Sequence, residues 1–237
     1  VALCDVDETL LLAARERLAQ SAPDVRLYRD FRVLLESERT LDAVVVSTPD
    51  HGHGIQAAWA LEKGCAVYLE TPLVRTLGEL RRLREQARAR RAVVMAGDTG
   101  RATGEFRRAV ELVASGLLGT VSEIHAWTSR PVWPQGMARP EGSDRVPPEL
   151  DWELWLCGAE ARPFKNKAYH RFNWRAWHDF GTGALGDAGT QMLGLPFQAL
   201  ELGPPATAEA SGMGEPARET YPRGSTVRFV FPSRGKR

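Results

Sequence analysis

The sequence predicts an α/β protein in two parts: a doubly wound parallel sheet over residues 1–100, then an α+β domain over 101–237. Three observations carry this. Through the first part, short β-branched runs alternate with amphipathic helical stretches. Two of those runs, Asp42-Ala43-Val44-Val45-Val46-Ser47 and Ala66-Val67-Tyr68-Leu69-Glu70, close on the turns Thr48-Pro49 and Thr71-Pro72 with a helix between them, the layout of parallel strands joined by a crossover. After Gly100 the alternation stops, and six of the seven tryptophans fall between Trp127 and Trp177, so a second core of different make-up begins there.

Val1 to Asp5 reads as a strand, and a helix follows from Glu8 to Gln20, with Leu11, Leu12, Arg15 and Leu18 at helical spacing and Asp5 or Asp7 as its cap. A strand at Val25 to Tyr28 precedes a short helix at Phe31 to Ser37. A strand at Ala43 to Ser47 leads to a helix at Gly54 to Lys63. A strand at Ala66 to Leu69 leads to a helix at Leu77 to Arg90, which Thr76 and Glu79 open as a capping box. Ala92 to Ala96 is the next strand. In the second part a helix at Glu105 to Ser115 stops at Gly116, and Val121 to Arg130 alternates as a strand. A Pro- and Gly-rich loop runs from Pro131 to Pro148. Gly181-Thr182-Gly183 leads into a helix through Asp187 and Met192 to about Leu200, and strand patterns return at Ala206 to Ser211 and Thr226 to Phe231. A chain that starts and stops inside such elements reads as incomplete at both ends. No G-x-G-x-x-G is present in residues 1–100, where Gly97-Asp98-Thr99-Gly100 lacks the spacing.

Bulk properties narrow the function. The formal net charge is +1, so nothing draws the chain to nucleic acid or to acidic membranes. The basic stretch Arg81 to Arg91 continues a helical pattern and reads as a solvated face. Cys4, Cys65 and Cys157 are scattered, which implies neither a disulfide framework nor a metal site; Cys4 and Cys65 read as buried thiols. No apolar run is long enough to span a bilayer. The compartment is cytoplasmic by default, with export open if a signal precedes Val1.

Four segments, in order, carry a resemblance. They are Val44-Val45-Val46-Ser47-Thr48-Pro49-Asp50-His51-Gly52-His53; Glu70-Thr71-Pro72; Trp127-Thr128-Ser129-Arg130-Pro131-Val132-Trp133-Pro134; and Trp174-Arg175 followed by Asp179 to Gly183 and Gly186-Asp187-Ala188-Gly189-Thr190-Gln191. Over essentially the whole chain they resemble the glucose–fructose oxidoreductase/inositol dehydrogenase (Gfo/Idh/MocA) family. The resemblance implies an incomplete Rossmann-type sheet, lacking its first strand and Gly-rich turn, followed by an α+β domain with an open, mostly antiparallel sheet. It implies an NAD(P)-dependent oxidoreductase acting on a sugar or polyol hydroxyl, and a homo-oligomer formed through the C-terminal sheet.

The site residues follow from the matched motifs. Asp5 ends the first strand, where a carboxylate accepts hydrogen bonds from both ribose hydroxyls of NAD and repels the 2′-phosphate of NADP; NAD is therefore favoured over NADP, and the same residue could instead cap the helix. Ser47, Thr48 and Pro49 lie at the carboxyl edge of the sheet, where cofactors of such folds bind, and Asp50, His53, Glu70 and Pro72 complete the implied cofactor set. Binding is expected to be weak without the Gly-rich turn. His51-Gly52-His53 lacks a third ligand, so no metal is expected.

Thr71, Asp187 and Gln191 are the catalytic candidates. Thr71 stands where the family has Lys, and Gln191 where it has His. Thr supplies no positive charge, and Gln is no base at neutral pH. Asp187 could orient a hydroxyl or take its proton. Lys165, Tyr169, Trp174 and Arg175 are the substrate candidates, with His170 and His178 nearby. The alternative is a catalytically inactive member that binds a sugar-like ligand or serves as an assembly subunit.

Overall fold

The computed structural model describes residues 1–213 and 217–233. In chain order the helices are α1 (Glu8–Leu18), α2 (Phe31–Ser37), α3 (Asp50–Glu62), α4 (Leu77–Arg90), α5 (Gly104–Ala114), α6 (Trp152–Leu156), α7 (Thr190–Met192) and α8 (Gly194–Ala199). The strands are β1 (Ala2–Cys4), β2 (Arg26–Tyr28), β3 (Ala43–Val46), β4 (Ala66–Leu69), β5 (Val94–Ala96), β6 (Thr207–Met213) and β7 (Gly224–Val230). The chain divides into two compact units, Val1–Ala96 with Pro140–Trp174, and Gly97–Arg139 with Arg175–Arg237. The segment 140–174 brings its tryptophans to the first unit.

In the first unit β1 pairs in parallel with β2, and β3, β4 and β5 form a parallel sheet in that order. This is the predicted Rossmann-type pattern. No ladder joins β1 to β3, so the sheet is in two pieces. Register aligns Val44 with Val67 and Val94, and Val46 with Leu69 and Ala96. Val46, Val67 and Leu69 are buried in one cluster with Leu34 and Leu35 of α2, Ala57, Ala60 and Leu61 of α3, and Leu83 of α4. The alternate row, Val45, Tyr68 and Met95, points to the other face, where Val45 and Met95 are exposed.

Local chemistry sets the helix ends. Asp7, not Asp5, caps α1: its Oδ1 accepts the backbone N–H groups of Thr9 and Leu10 at 3.0 and 3.3 Å. The Thr76–Glu79 capping box of α4 is present with both of its bonds. Helix α3 starts at Asp50, earlier than the predicted Gly54. Gly52 and Gly54 lower helix propensity, which hides this first turn from a periodicity reading. Gly54 is there because α3 approaches α4 closely; a Cβ on it would lie 3.3 Å from the Glu79 side chain.

The segment 140–174 is tied to the start of the chain by main-chain pairing. Glu8 N–H donates to the Glu149 carbonyl at 2.9 Å, and Asp151 N–H donates to that of Val6 at 3.0 Å. Helix α6 was not legible from periodicity, being five residues long; its signal is Asp151, whose carboxylate accepts the Leu154 N–H at 3.0 Å.

In the second unit α5 packs on α8, and β6 pairs antiparallel with β7. Trp177 and Phe180 are fully buried, and Trp177 bridges to Thr220. Two expectations are corrected here. Residues 121–130 form no strand and are almost wholly exposed. Alternation marks a strand only where a neighbour accepts its ladder, and among the described residues β6 and β7 pair only with each other. The helix predicted from Gly183 to Leu200 is broken into a π-helical turn at Leu185–Gly189, α7 and α8. Gly186, Gly189, Gly194 and Pro196 all disfavour a continuous α-helix. Gly183 has φ +63°, and a Cβ there would meet the Tyr221 ring at 2.5 Å, so this lead-in admits no other residue.

Candidate functional site

At the carboxyl edge of β1, Asp5 is half-buried, and its Oδ1 accepts the Asp7 N–H at 2.9 Å. Burial raises its pKa above the usual 3.8, with the Asp7 charge adding to the rise and the Asp7 N–H opposing it. The Val6 N–H also hydrogen-bonds this carboxylate and opposes the rise. At the edge of β3, Ser47 is exposed and Thr48 half-buried, the Thr48 hydroxyl lying 3.0 Å from Gln56 Oε1. At the edge of β4, Glu70 N–H donates to the Val46 carbonyl at 3.0 Å, Thr71 is half-buried, and Pro72 is buried behind a cis peptide bond.

His53 ties these two turns together. It is 1% exposed, with Nδ1 2.8 Å from the Pro72 carbonyl and Nε2 2.8 Å from that of Thr48. Both partners are main-chain carbonyl acceptors, so the ring bridges the two turns. Asp50, in the first turn of α3, is also buried. His51 turns elsewhere: its Nε2 is 2.9 Å from the Trp155 carbonyl and its ring lies 5.1 Å from that indole. Replacing His53 with Phe strands two buried carbonyls and is expected to cost about 2–4 kcal/mol. His53→Gln should recover part of that in urea denaturation; equal stability of all three proteins would refute the clamp.

The substrate candidates are spread over the two units. In the first, Lys165 pairs with Asp144 at 3.0 Å. Tyr169 is 1% exposed and stacks on Trp152 at 5.7 Å, with the Arg162 guanidinium 5.7 Å from its ring centroid. Trp174 is buried, its N–H donating to the Tyr169 carbonyl at 2.8 Å. In the second, the Arg175 guanidinium lies 3.7 Å from Asp187 and 5.8 Å from the Trp133 ring centroid. Trp133 Nε1–H donates to Gln135 Oε1 at 3.0 Å, and the Gln135 amide donates to the Pro222 carbonyl at 2.7 Å. This holds Arg175 between an aromatic face and a carboxylate. Asp187 is half-buried in the π-helical turn, while Gln191, in α7, is exposed.

Comparison with known proteins decides the class. A family model described as an oxidoreductase family with an NAD-binding Rossmann fold matches residues 1–98, and the model of that family's C-terminal α/β domain matches 104–203. The chain belongs to the Gfo/Idh/MocA oxidoreductase family. The cofactor of the family is NAD. An inositol 2-dehydrogenase of Leifsonia xyli is 31% identical over 166 residues, 69% of this chain and 48% of that protein. The chain thus spans about half of that relative's length. An oxidoreductase domain protein from Kribbella flavida is 27% identical with a TM-score of 0.56, over 89% of this chain and 47% of that one. The WlbA dehydrogenase from Bordetella pertussis, crystallised with NADH and UDP-GlcNAcA, shares the fold at 15% identity and a TM-score of 0.65, over 98% of this chain and 60% of that one.

The cofactor fits what the first unit presents. Asp5 offers a carboxylate oxygen at the strand end where a ribose diol of NAD would be held, and the turns clamped by His53 offer main-chain groups beside it. Sequence reasoning missed the group behind Asp5. The Asp7 carboxylate, 2% exposed, lies 2.8 Å from His170 Nε2 and 3.2 Å from Arg171 Nε. Its only local signal is an Asp before a helix, because both partners sit far along the chain. The three thiols are unpaired, and burial pushes Cys4 up to about 12. Among the described residues no group of three His, Cys, Asp or Glu is placed to hold a metal, and no helix is long and apolar enough to cross a membrane.

Proposed function

We propose that this chain is the body of an NAD-dependent oxidoreductase acting at a hydroxyl-bearing carbon of a sugar or polyol. The observation that supports this most directly is Asp5, a half-buried carboxylate at the end of β1 that the Asp7 N–H holds in place. Bound NAD would take the hydride, and the first unit would hold its ribose diol at Asp5. A carboxylate facing the ribose disfavours a 2′-phosphate, so NAD is preferred to NADP. NADH titrated into the native protein should give a saturable rise in nicotinamide fluorescence. Asp5→Ala should weaken that binding about tenfold, the worth of a hydrogen bond to a charged group. Absence of saturation, or indifference to Asp5→Ala, would sink the assignment.

A second reading is supported by Thr71 and Gln191. Neither supplies the charge or the base that proton removal from an alcohol requires. On this reading the protein binds NADH and a sugar-like ligand, or assembles with further copies through its C-terminal sheet, without turnover. A polyol oxidation screen at saturating NAD separates the two: tight NADH binding with no product favours the second.

A further inference from the structure

Two rows of side chains run beside each other along α4. Leu80, Leu83 and Ala87 stand at i, i+3 and i+7, and Arg84, Arg88 and Arg91 at i, i+4 and i+7. With Val94 of β5, the apolar row floors an open, mainly apolar pocket of about 470 Å³, and the three arginines form its rim. Leu83 is already in the core, but Leu80 remains 39% exposed. Arg91 is the left-handed C-cap (φ 51°), which carries the basic row past the last turn while the chain turns back to β5.

The rim charges are uncompensated. Some arginines elsewhere on the surface find partners, Arg26 with Glu38, Arg32 with Asp30, Arg101 with Asp98 and Arg139 with Glu219, while others such as Arg15, Arg81 and Arg82 stay in solvent without one among the described residues. Among the described residues Arg84, Arg88 and Arg91 form no ion pair. Of the acids on α4, Glu79 is committed to the capping box, and Glu85 bridges to none of them. The helix dipole favours Arg88 and the cap Arg91 near the carbonyl end. It accounts neither for Arg84 in mid-helix nor for an apolar floor left open beside it.

We propose that this groove docks an acidic amphipathic helix of a partner protein, its apolar residues on Leu80, Ala87 and Val94 and its carboxylates on Arg84, Arg88 and Arg91. Seven residues of helix are about 10 Å long, so each row spans two turns. Two parallel rows, one apolar and one cationic, are matched by another helix with leucines on one stripe and acids beside it. A small anion would engage one guanidinium and leave the floor wet. A phosphate backbone has no apolar stripe to cover that floor. The reading is independent of the cofactor site, which lies on other residues.

The test is fluorescence anisotropy with a labelled helical peptide of about eighteen residues, Leu on one stripe and Glu flanking it. Two controls carry Lys for Glu, or Ser for Leu. The Glu/Leu peptide should bind and weaken as salt rises from about 50 to about 300 mM. Binding should fall about tenfold in R84E/R88E and about tenfold in Leu80→Ser. The R84E/R88E protein should take the Lys peptide instead. All three positions are exposed or half-exposed, and R84Q/R88Q serves if the double reversal misfolds. The proposal is overturned if the Glu/Leu peptide does not bind, if the variants leave binding unchanged, or if the Ser peptide binds as well. Binding of phosphatidylserine vesicles or duplex DNA in place of the peptide would equally overturn it.

Discussion

Asp7→Ala is expected to destabilise the first unit by about 3–5 kcal/mol, the usual consequence of removing one partner from a buried charged network. Three roles meet on this carboxylate. One oxygen caps α1, and the other faces His170 and Arg171 of the segment 140–174. At 2% exposure the group has no water to fall back on, and its loss leaves the helix cap, His170 and Arg171 unserved. The network also predicts a pH dependence. Burial alone would raise the Asp7 pKa, but the His170 hydrogen bond, the Leu10 N–H and the Arg171 charge outweigh it, and the value lies below the usual 3.8. The folded state therefore holds this proton less tightly than the unfolded state. The stabilisation is complete above the unfolded value and is lost as pH falls through the lower folded one. Urea denaturation should show the gap between wild type and Asp7→Asn to be wide at neutral pH and to close below about pH 4. A loss under about 1 kcal/mol at neutral pH, the range of exposed pairs, would mean that the network is a surface feature after all.

Trp177→Ala should cost the second unit about 3–5 kcal/mol through lost burial and the cavity left behind. Trp177 is fully buried, and the main chain around it is stitched to the segment before β7: His178 N–H donates to the Glu219 carbonyl at 2.9 Å, and Tyr221 N–H to that of Ala176 at 3.0 Å. A cavity there loosens both strands of that contact. Trp127→Ala is the control, because Trp127 is 80% exposed and should change stability by no more than about 0.5 kcal/mol. Differential scanning calorimetry of the three proteins checks this; similar melting profiles for both variants would contradict the burial argument.

The parallel strands and crossover helices were legible because each element declares itself within a short window. The runs Ala66 to Leu69, Phe31 to Ser37 and Leu77 to Arg90 have the bounds that periodicity and the Thr76–Glu79 box assign. Residues 121–130 show the opposite case: their alternation is real, yet strand formation depends on a neighbour that the same window does not contain. The start of α3 was hidden because Gly52 makes room for the Thr48 and Gln56 side chains and Gly54 for Glu79 of α4, at the expense of helix propensity.

The same division runs through the candidate site. Family motifs place Asp5, Thr48, Glu70 and Asp187 by number, and the replacements at Thr71 and Gln191 are visible in the chain itself. No motif shows that His53 spends both ring nitrogens on the Thr48 and Pro72 carbonyls, that Arg175 lies between Trp133 and Asp187, or that His170 and Arg171 reach Asp7. The sequence by itself determined the strand–helix alternation, the caps and the chemistry available at each position, because these depend on neighbours a few residues away. Only the tertiary structure decided which buried polar groups hold which turns, because a desolvated carboxylate or imidazole must find its partner wherever packing brings one, at separations in the chain that local pattern does not encode.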